Sequence, residues 1–244
     1  MTDTLTAVPT DWQRALAIVA HPDDLEYGAA AAIAEWTEAG KEVSYLLVTR
    51  GEAGIDGLPP EESARVREAE QVASAAAVGV ETVEFLAHRD GVIEAGLPLR
   101  RDLAGAVRAR QPELLITINH HDTWGGAYWN TPDHRTVGRA VLDAAGDAGN
   151  RWVFPEQLGG TGLKPWDGVR WVAVAASPRA THAQQVSDWA VEKAIASLTE
   201  HRAYLEGLGE DPAAYARSLI TRGVDEAAER FDGRRCVPFE LFAR

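Results

Sequence analysis

Leu16-Ala17-Ile18-Val19-Ala20-His21-Pro22-Asp23-Asp24 is the stretch on which the fold turns. Five apolar residues run without a polar break, the pattern of a strand buried on both faces, and such strands belong to parallel sheets covered by helices. The run ends abruptly in a histidine, a proline and two carboxylates. In open α/β sheets ligands bind at the carboxyl ends of the strands, so residues 21–24 fall where a ligand is expected.

The same alternation continues outward from this point. A helix is expected from just after Asp24 to Gly40, with that glycine as its C-terminal stop. Strands follow at 43–49, 83–86, 114–118, 169–176 and 236–242, and helices at 61–78, 101–110, 135–148, 188–205 and 212–228. Loops separate them by their Gly and Pro content, notably GEAGIDGLPP at 51–60 and the Gly-, Trp-, His- and Asp-rich segment 119–132. The expected fold is α/β, Rossmann-like, with a mostly parallel sheet and helices on both faces. Residues 1–244 read as a single domain, with 1–14 a polar lead-in and the Gly-rich stretch 155–168 a surface loop.

Composition narrows the function. Of 244 residues 45% are hydrophobic, enough for a packed core, and the net charge of −13 repels phosphate backbones and anionic lipid. Neither nucleic acid nor a membrane is therefore an expected partner. The N-terminus shows no cationic head followed by an apolar run, and no apolar stretch reaches the ~18 residues of a membrane span. The single cysteine, Cys236, excludes an intrachain disulfide and fits a cytoplasmic location. An acidic enzyme of this size is compatible with a homo-oligomer.

The chemistry sits after the strands at 16–20 and 114–118. A dinucleotide site would show G-x-G-x-x-G after the first strand, whereas His21-Pro22-Asp23-Asp24 places two carboxylates where a pyrophosphate would lie. A divalent cation suits this turn better. His21 and Asp24 supply an imidazole and a carboxylate across a turn stiffened by Pro22. Asp23, between them, is left free to take a proton from a metal-bound water. Catalytic zinc commonly has three protein ligands and a water, and His134, in Thr131-Pro132-Asp133-His134, is the candidate third ligand. Two histidines and one carboxylate suit iron(II) as well as Zn2+.

Ala20-His21-Pro22-Asp23-Asp24, together with Pro132-Asp133-His134-Arg135-x-x-Gly138, closely resembles the N-acetylglucosaminyl-phosphatidylinositol de-N-acetylase (PIG-L, or LmbE-like) family. Weaker echoes run along nearly the whole chain: Thr49-Arg50-Gly51-Glu52, Arg67-x-x-Glu70, Asp90-Gly91, Lys193 to His201, and Pro238-Phe239-Glu240-Leu241-Phe242. The resemblance implies that His21, Asp24 and His134 bind zinc, that Asp23 is the general base, and that Asp133 and His201 support the site from behind. It implies a zinc-dependent hydrolase removing an acyl group from the nitrogen of an amino sugar such as N-acetylglucosamine, or from a related small N-acylated metabolite.

Thr131 departs from the family pattern, which has a histidine there to stabilise or protonate the tetrahedral intermediate. A threonine hydroxyl donates a hydrogen bond but is no acid near neutral pH. Three compensations are open: His120 or His121 reaches in, the favoured reading; Asp23 acts first as base and then as acid; or the protein binds its ligand and turns it over poorly. On the substrate side, Trp124, Tyr128 and Trp129 suit sugar rings or acyl groups, or simply pack the loop. Arg50 and Arg67 suit hydroxyl or anionic groups, or surface ion pairs. A metal-dependent deacetylase is thus the first reading and a weakly catalytic binding protein of the same fold the second.

Overall fold

In the computed structural model, which describes residues 4–160 and 162–244, the apolar runs assemble into one eight-stranded sheet. In chain order the elements are β1 (Thr6–Ala7), β2 (Arg14–Val19), α1 (Asp24–Gly28), α2 (Ala30–Glu38), β3 (Glu42–Leu47), α3 (Pro60–Ala77), β4 (Thr82–Phe85), α4 (Leu97–Arg110), β5 (Leu114–Ile118), β6 (Thr123–Gly125), β7 (Tyr128–Trp129), α5 (Pro132–Asp147), β8 (Trp171–Ala175), β9 (His182–Gln185), α6 (Asp188–Thr199), α7 (Arg202–Gly207), α8 (Pro212–Ala228) and β10 (Cys236–Ala243). The strand order is β1-β9-β10-β8-β5-β2-β3-β4, and β6 and β7 form a separate hairpin. β10 runs antiparallel to both β8 and β9; the other pairings of the large sheet are parallel.

Side chains alternate across β2, and the two halves of its sequence enter different cores. Ala15, Ala17 and Val19 face a core closed by α1, α2, α6 and α8. Leu16, Ile18 and Ala20 face one closed by α4 and α5. A strand covered on both sides needs no polar face, which is why LAIVA reads as a continuous run. From β2 the chain winds outward to β3 and β4, then returns to place β5 on the other side of β2. The loops after β2 and β5 therefore diverge from a topological switch point, and the crevice between them is the place such sheets offer a ligand.

Three expectations are corrected. The stretch 1–14 is more than a polar lead-in over its described part: Leu5, Val8 and Trp12 are buried, and β1 extends the sheet beside β9. Residues 1–3 lie outside the described residues, as does Thr161 in the 155–168 loop. The helix expected from Asp24 to Gly40 is two helices, broken at Ala29 (φ −140°), where Gly28 packs against Ala175 and Ala176. Ala29 itself is a strong helix former, so Gly28, the last residue of α1, is what marks that break locally. The helix expected over 188–205 is likewise divided, at His201, which turns inward and is fully buried. Gly40 does end its helix, at φ +78°.

Candidate metal and catalytic centre

The turn after β2 is held by its own carboxylate. Asp24 Oδ2 accepts the backbone N–H groups of Ala20 (3.0 Å) and His21 (2.9 Å), closing the chain on itself. Asp23 is thereby forced into the left-handed region, at φ +88°. It occupies the N-terminal cap position of α1 without using its side chain as a cap, which leaves that carboxylate for other work.

Across the crevice, α5 begins with Thr131 as its cap and presents His134 in its first turn. His134 Nε2 lies 2.9 Å from Asp24 Oδ1 and 3.2 Å from His21 Nδ1. One donor atom from each of His21, Asp24 and His134 falls within 4.8 Å of the others. The outer ring nitrogens have their own partners. His134 Nδ1 lies 3.0 Å from Asn130 Oδ1, and His21 Nε2 lies 3.1 Å from Asp90 Oδ1 and 3.3 Å from Asp133 Oδ2. An acceptor on the outer nitrogen fixes the tautomer and turns the inner lone pair toward the shared point, the arrangement in which histidine binds a metal. Asp133 also accepts the N–H groups of Gly91 (2.8 Å) and Ile93 (3.1 Å), tying the loop after β4 to the site.

Charge in the triad follows from burial and contact. Burial alone would raise the Asp24 carboxyl, but the charge and hydrogen bond of His134, with those of His21, outweigh it and hold it well below the usual carboxylate range. Burial would lower the His21 imidazole; the hydrogen bonds to Asp133, Asp24 and Asp90 outweigh it and hold it well above its ordinary value. Two imidazoles and a carboxylate held ionised at one point fit a divalent cation, which would take the place of a proton at His21.

Asp23 is buried beside this group, with Arg67 Nη2 3.0 Å from its Oδ2. Burial pushes its carboxyl up, the Arg67 cation opposes this and the neighbouring Asp24 charge adds to it, leaving the value at about 6. Arg67 reaches Asp23 through a slot made for it. Its guanidinium packs against the ring of Tyr204 at 4.1 Å on one side. On the other, a Cβ at Gly51 or Gly54 would come within 2.5 Å or 2.1 Å of Arg67 Nη1. A cavity of 710 Å3 covers the triad and Asp23, with Tyr27, Trp124 and Tyr204 among its walls.

The structure separates the predicted residues. His21, Asp23, Asp24, Arg67, Trp124, Thr131, Asp133 and His134 meet at this cavity. His120 and His121 are not among its described walls. The His121 ring is bonded to Glu240 (Nε2 to Oε2, 2.6 Å), and His120 is buried against His121 and Phe242. Burial and the adjacent His121 push the His120 imidazole down to about 4, so it is no acid near neutral pH. The expectation of a substitute histidine is thus corrected. Thr131 lines the cavity, but its hydroxyl accepts the His134 N–H. Arg50 points away and pairs with Glu68 at 2.9 Å. Tyr128 and Trp129 stand exposed on β7, with Arg135 over the Trp129 ring. His201 lies beneath the site, 3.6 Å from the buried Glu26.

Sequence reasoning missed Asn130, Tyr27 and Tyr204, and named Asp90 only as a weak echo of the family pattern, without a role at the site. Asn130 adjoins the recognised motif, and Asp90 lies in the loop after β4 before a glycine, so both carried a local signal. The tyrosines carried none, because they reach the cavity only through helix packing.

The signature of the GlcNAc-PI de-N-acetylase (PIG-L) family matches residues 16–145. The chain is 28% identical, over 95% of its length and 67% of the relative's, to 1D-myo-inositol 2-acetamido-2-deoxy-alpha-D-glucopyranoside deacetylase of Kineococcus radiotolerans. It is 31% identical to diacetylchitobiose deacetylase of Thermococcus kodakarensis, but that match spans 57% of this chain and about half (51%) of the relative. Among solved structures, N,N'-diacetylchitobiose deacetylase from Pyrococcus horikoshii superposes with a TM-score of 0.82 at 24% identity, covering 96% of this chain and 85% of that one. GalB, the 4-carboxy-2-hydroxymuconate hydratase of Pseudomonas putida KT2440, superposes with a TM-score of 0.71 at 19% identity over 95% and 97%. These two likenesses show the fold, and since one protein is a deacetylase and the other a hydratase, the fold alone does not choose the reaction.

Proposed function

This chain belongs to the GlcNAc-PI de-N-acetylase (PIG-L) family, and on that premise we propose that it is a metal-dependent N-deacetylase cleaving the amide of a small N-acylated amino sugar. The observation that carries the reading is the convergence of His21, Asp24 and His134 beside a separate buried carboxylate, Asp23. The relatives named above as deacetylases act on N-acetylated sugars, which supports the substrate class.

His21, Asp24 and His134 would hold the cation, Zn2+ or Fe2+. When bound, such a cation polarises an amide carbonyl and makes a water acidic near neutral pH. Asp23 does the proton work. Burial pushes its carboxyl up, and a cation at the triad would lower it again; ionised at neutral pH, it accepts the proton of the attacking water and then returns that proton to the leaving amine. Arg67 keeps it oriented, and Asn130, Asp90 and Asp133 hold the two imidazoles. One base that later serves as acid is the compensation for Thr131 that this geometry favours. Trp124, edge-on to His134, offers an apolar surface to the acyl group or sugar ring.

No helix among the described residues is long and apolar enough to cross a membrane. The net charge of −13 supports a small-molecule substrate over nucleic acid; we take the enzyme to be cytoplasmic and of a single domain, and a homo-oligomer is compatible with it.

The test is metal content together with amine release. The purified protein is expected to hold close to one metal ion per chain and to free amine from N-acetylglucosamine conjugates, and Asp23→Asn is expected to keep the metal and lose turnover. A metal content near zero overturns the reading. The second reading, a binding protein of the same fold, draws on Thr131 standing where the family pattern has a histidine, since its hydroxyl is no acid near neutral pH; full metal occupancy with no amine released across N-acyl sugars and thiol conjugates would favour it.

A further inference from the structure

Arg67 and Glu70 stand one turn apart on the same face of α3, but only the arginine reaches Asp23. Glu70 turns to α7 instead. Its Oε1 accepts the N–H of Ala203 at 2.5 Å, and the N–H of Tyr204 is turned to the same carboxylate. These are the second and third residues of α7, the two whose N–H groups a capping side chain ordinarily takes. His201, at the cap position itself, makes no such bond, since its side chain is turned inward beside Glu26. A carboxylate 133 residues away in sequence therefore caps α7. That helix has six residues, too few to hold its shape alone, so its place depends on what fastens it.

Tyr204 is the residue of α7 that lines the catalytic cavity. The face of its ring lies against the Arg67 guanidinium, 4.1 Å from the centroid, and its hydroxyl faces Asp23. Burial and the adjacent Asp23 charge hold the phenol well above its ordinary value, so it stays a hydrogen-bond donor. Glu70 works as an acceptor more than as a charge, because burial pushes its carboxyl up against the N–H groups that hold it.

We propose that Glu70 and Tyr204 are positioning residues for the base: Glu70 fixes α7, and α7 sets the Tyr204 ring against Arg67 and the Tyr204 hydroxyl on Asp23, so that the Asp23 carboxyl meets the attacking water in one orientation. The inference rests on the deacetylase reading and adds two residues to its machinery. Arg67 alone does not suffice. Its 3.0 Å contact holds one carboxylate oxygen and leaves the group free to turn about it; a second donor from another direction fixes the plane. The guanidinium itself is kept from sliding by the aromatic face it rests on. A purely structural cap would behave differently, since losing it would lower stability and leave turnover of the folded protein unchanged.

The experiment uses the metal-loaded protein and an N-acetylglucosamine conjugate. Tyr204→Phe keeps the ring on Arg67 and removes only the O–H; kcat is expected to fall roughly five- to tenfold, the equivalent of one hydrogen bond, with KM, metal content and melting temperature unchanged. Tyr204→Leu also frees the guanidinium, and its kcat is expected to fall about 10²-fold, the scale of a 1 Å misplacement. Glu70→Ala should lower kcat as Tyr204→Leu does, and Glu70→Gln, which keeps an acceptor for α7, should restore it. In Glu70→Ala with Tyr204→Leu, kcat is expected to be no lower than in Tyr204→Leu alone, because Glu70 acts through Tyr204. Wild-type kcat in Tyr204→Phe, or losses that multiply in the double variant, overturn the proposal. If the wild-type protein releases no amine from any N-acyl sugar, the deacetylase reading fails, and the NMR resonance of the Arg67 guanidinium N–H decides the placement separately. The ring current of Tyr204 is expected to shift it in the wild type and in Tyr204→Phe, and the shift to vanish in Tyr204→Leu and in Glu70→Ala. A wild-type resonance in Glu70→Ala overturns the proposal.

Discussion

The hydroxyl of Thr131 accepts the backbone N–H of His134 at 3.4 Å, so the side chain standing in place of a catalytic histidine caps the helix that carries a metal ligand. Capping by threonine is typically worth about 1 kcal/mol. Thr131→Ala is therefore expected to lower stability by about that amount in a urea titration and to weaken metal binding by loosening the first turn of α5. Thr131→Ser should preserve both. Thr131→His exchanges the cap for an imidazole in the cavity, and is expected to raise kcat while lowering the melting temperature. An unchanged kcat would show that Asp23 already meets the need for an acid.

Gly54 tests the positioning of Asp23. Its would-be Cβ lies 2.1 Å from Arg67 Nη1, and its φ is not positive, so the constraint there is space alone. Gly54→Ala is expected to push the guanidinium off Asp23. A displacement of about 1 Å can cost ~10²-fold in rate, so kcat should fall by about that factor with metal content unchanged. Gly57→Ala, where a Cβ meets nothing within 4 Å, is the control in the same loop.

Legibility in the sequence followed locality. β2 was readable because burial on both faces removes every polar residue from the run, and His21, Asp24 and Asp23 because one turn holds all three. His134 was readable from its own motif. The break at Ala29 had Gly28 as its one local mark, and that at His201 coincides with a contact distant in sequence, His201 against Glu26. His120 and His121 misled for the same reason. Their residue type and loop suit catalysis, but Glu240, more than a hundred residues later, claims His121. Tyr204 was invisible, since only the packing of α7 against α3 brings it over Arg67.

Asp23 sets the acid limb of activity. Its carboxyl, at about 6 without a cation, must be ionised to act as base, so kcat/KM is expected to fall about tenfold per unit of pH below that limb. A cation at the triad favours the carboxylate and moves the limb to lower pH. Arg67→Met removes an opposing cation and should move it up. In metal-free protein the same shift acts on stability. Because the folded value lies above the ordinary 3.8, this group's contribution is present below pH ~3.8 and is lost as the pH rises through about 6. Asp24, held low, contributes the opposite way, above pH ~3.8, and that contribution is lost on acidification. Melting curves of the chelated protein across this range check both signs.

Beneath the site, the catalytic turn is fastened to a buried charge. The Asp23 N–H donates to Gln71 Oε1 (2.9 Å), Gln71 Nε2 donates to Glu26 Oε1 (3.0 Å), and Ser74 Oγ donates to the same oxygen (2.7 Å). Glu26 and His201 are both fully buried, 3.6 Å apart. Removing one member of such a pair strands the other's charge, at a cost of about 3–5 kcal/mol, whereas replacing both with apolar residues recovers much of it. His201→Leu is thus expected to lower the denaturation midpoint sharply at constant slope, and Glu26→Leu with His201→Leu to lower it less than the two single changes added together. Gln71→Leu unfastens the turn and also takes from Glu26 Oε1 one of its two donors, leaving Ser74 Oγ. It leaves the Asp23 N–H without its acceptor, about 1–3 kcal/mol, and removes the restraint on a left-handed residue. Turnover should therefore suffer in that variant even where the protein remains folded and holds its metal, whereas equal losses of stability in all three variants with kcat preserved would make this network structural alone.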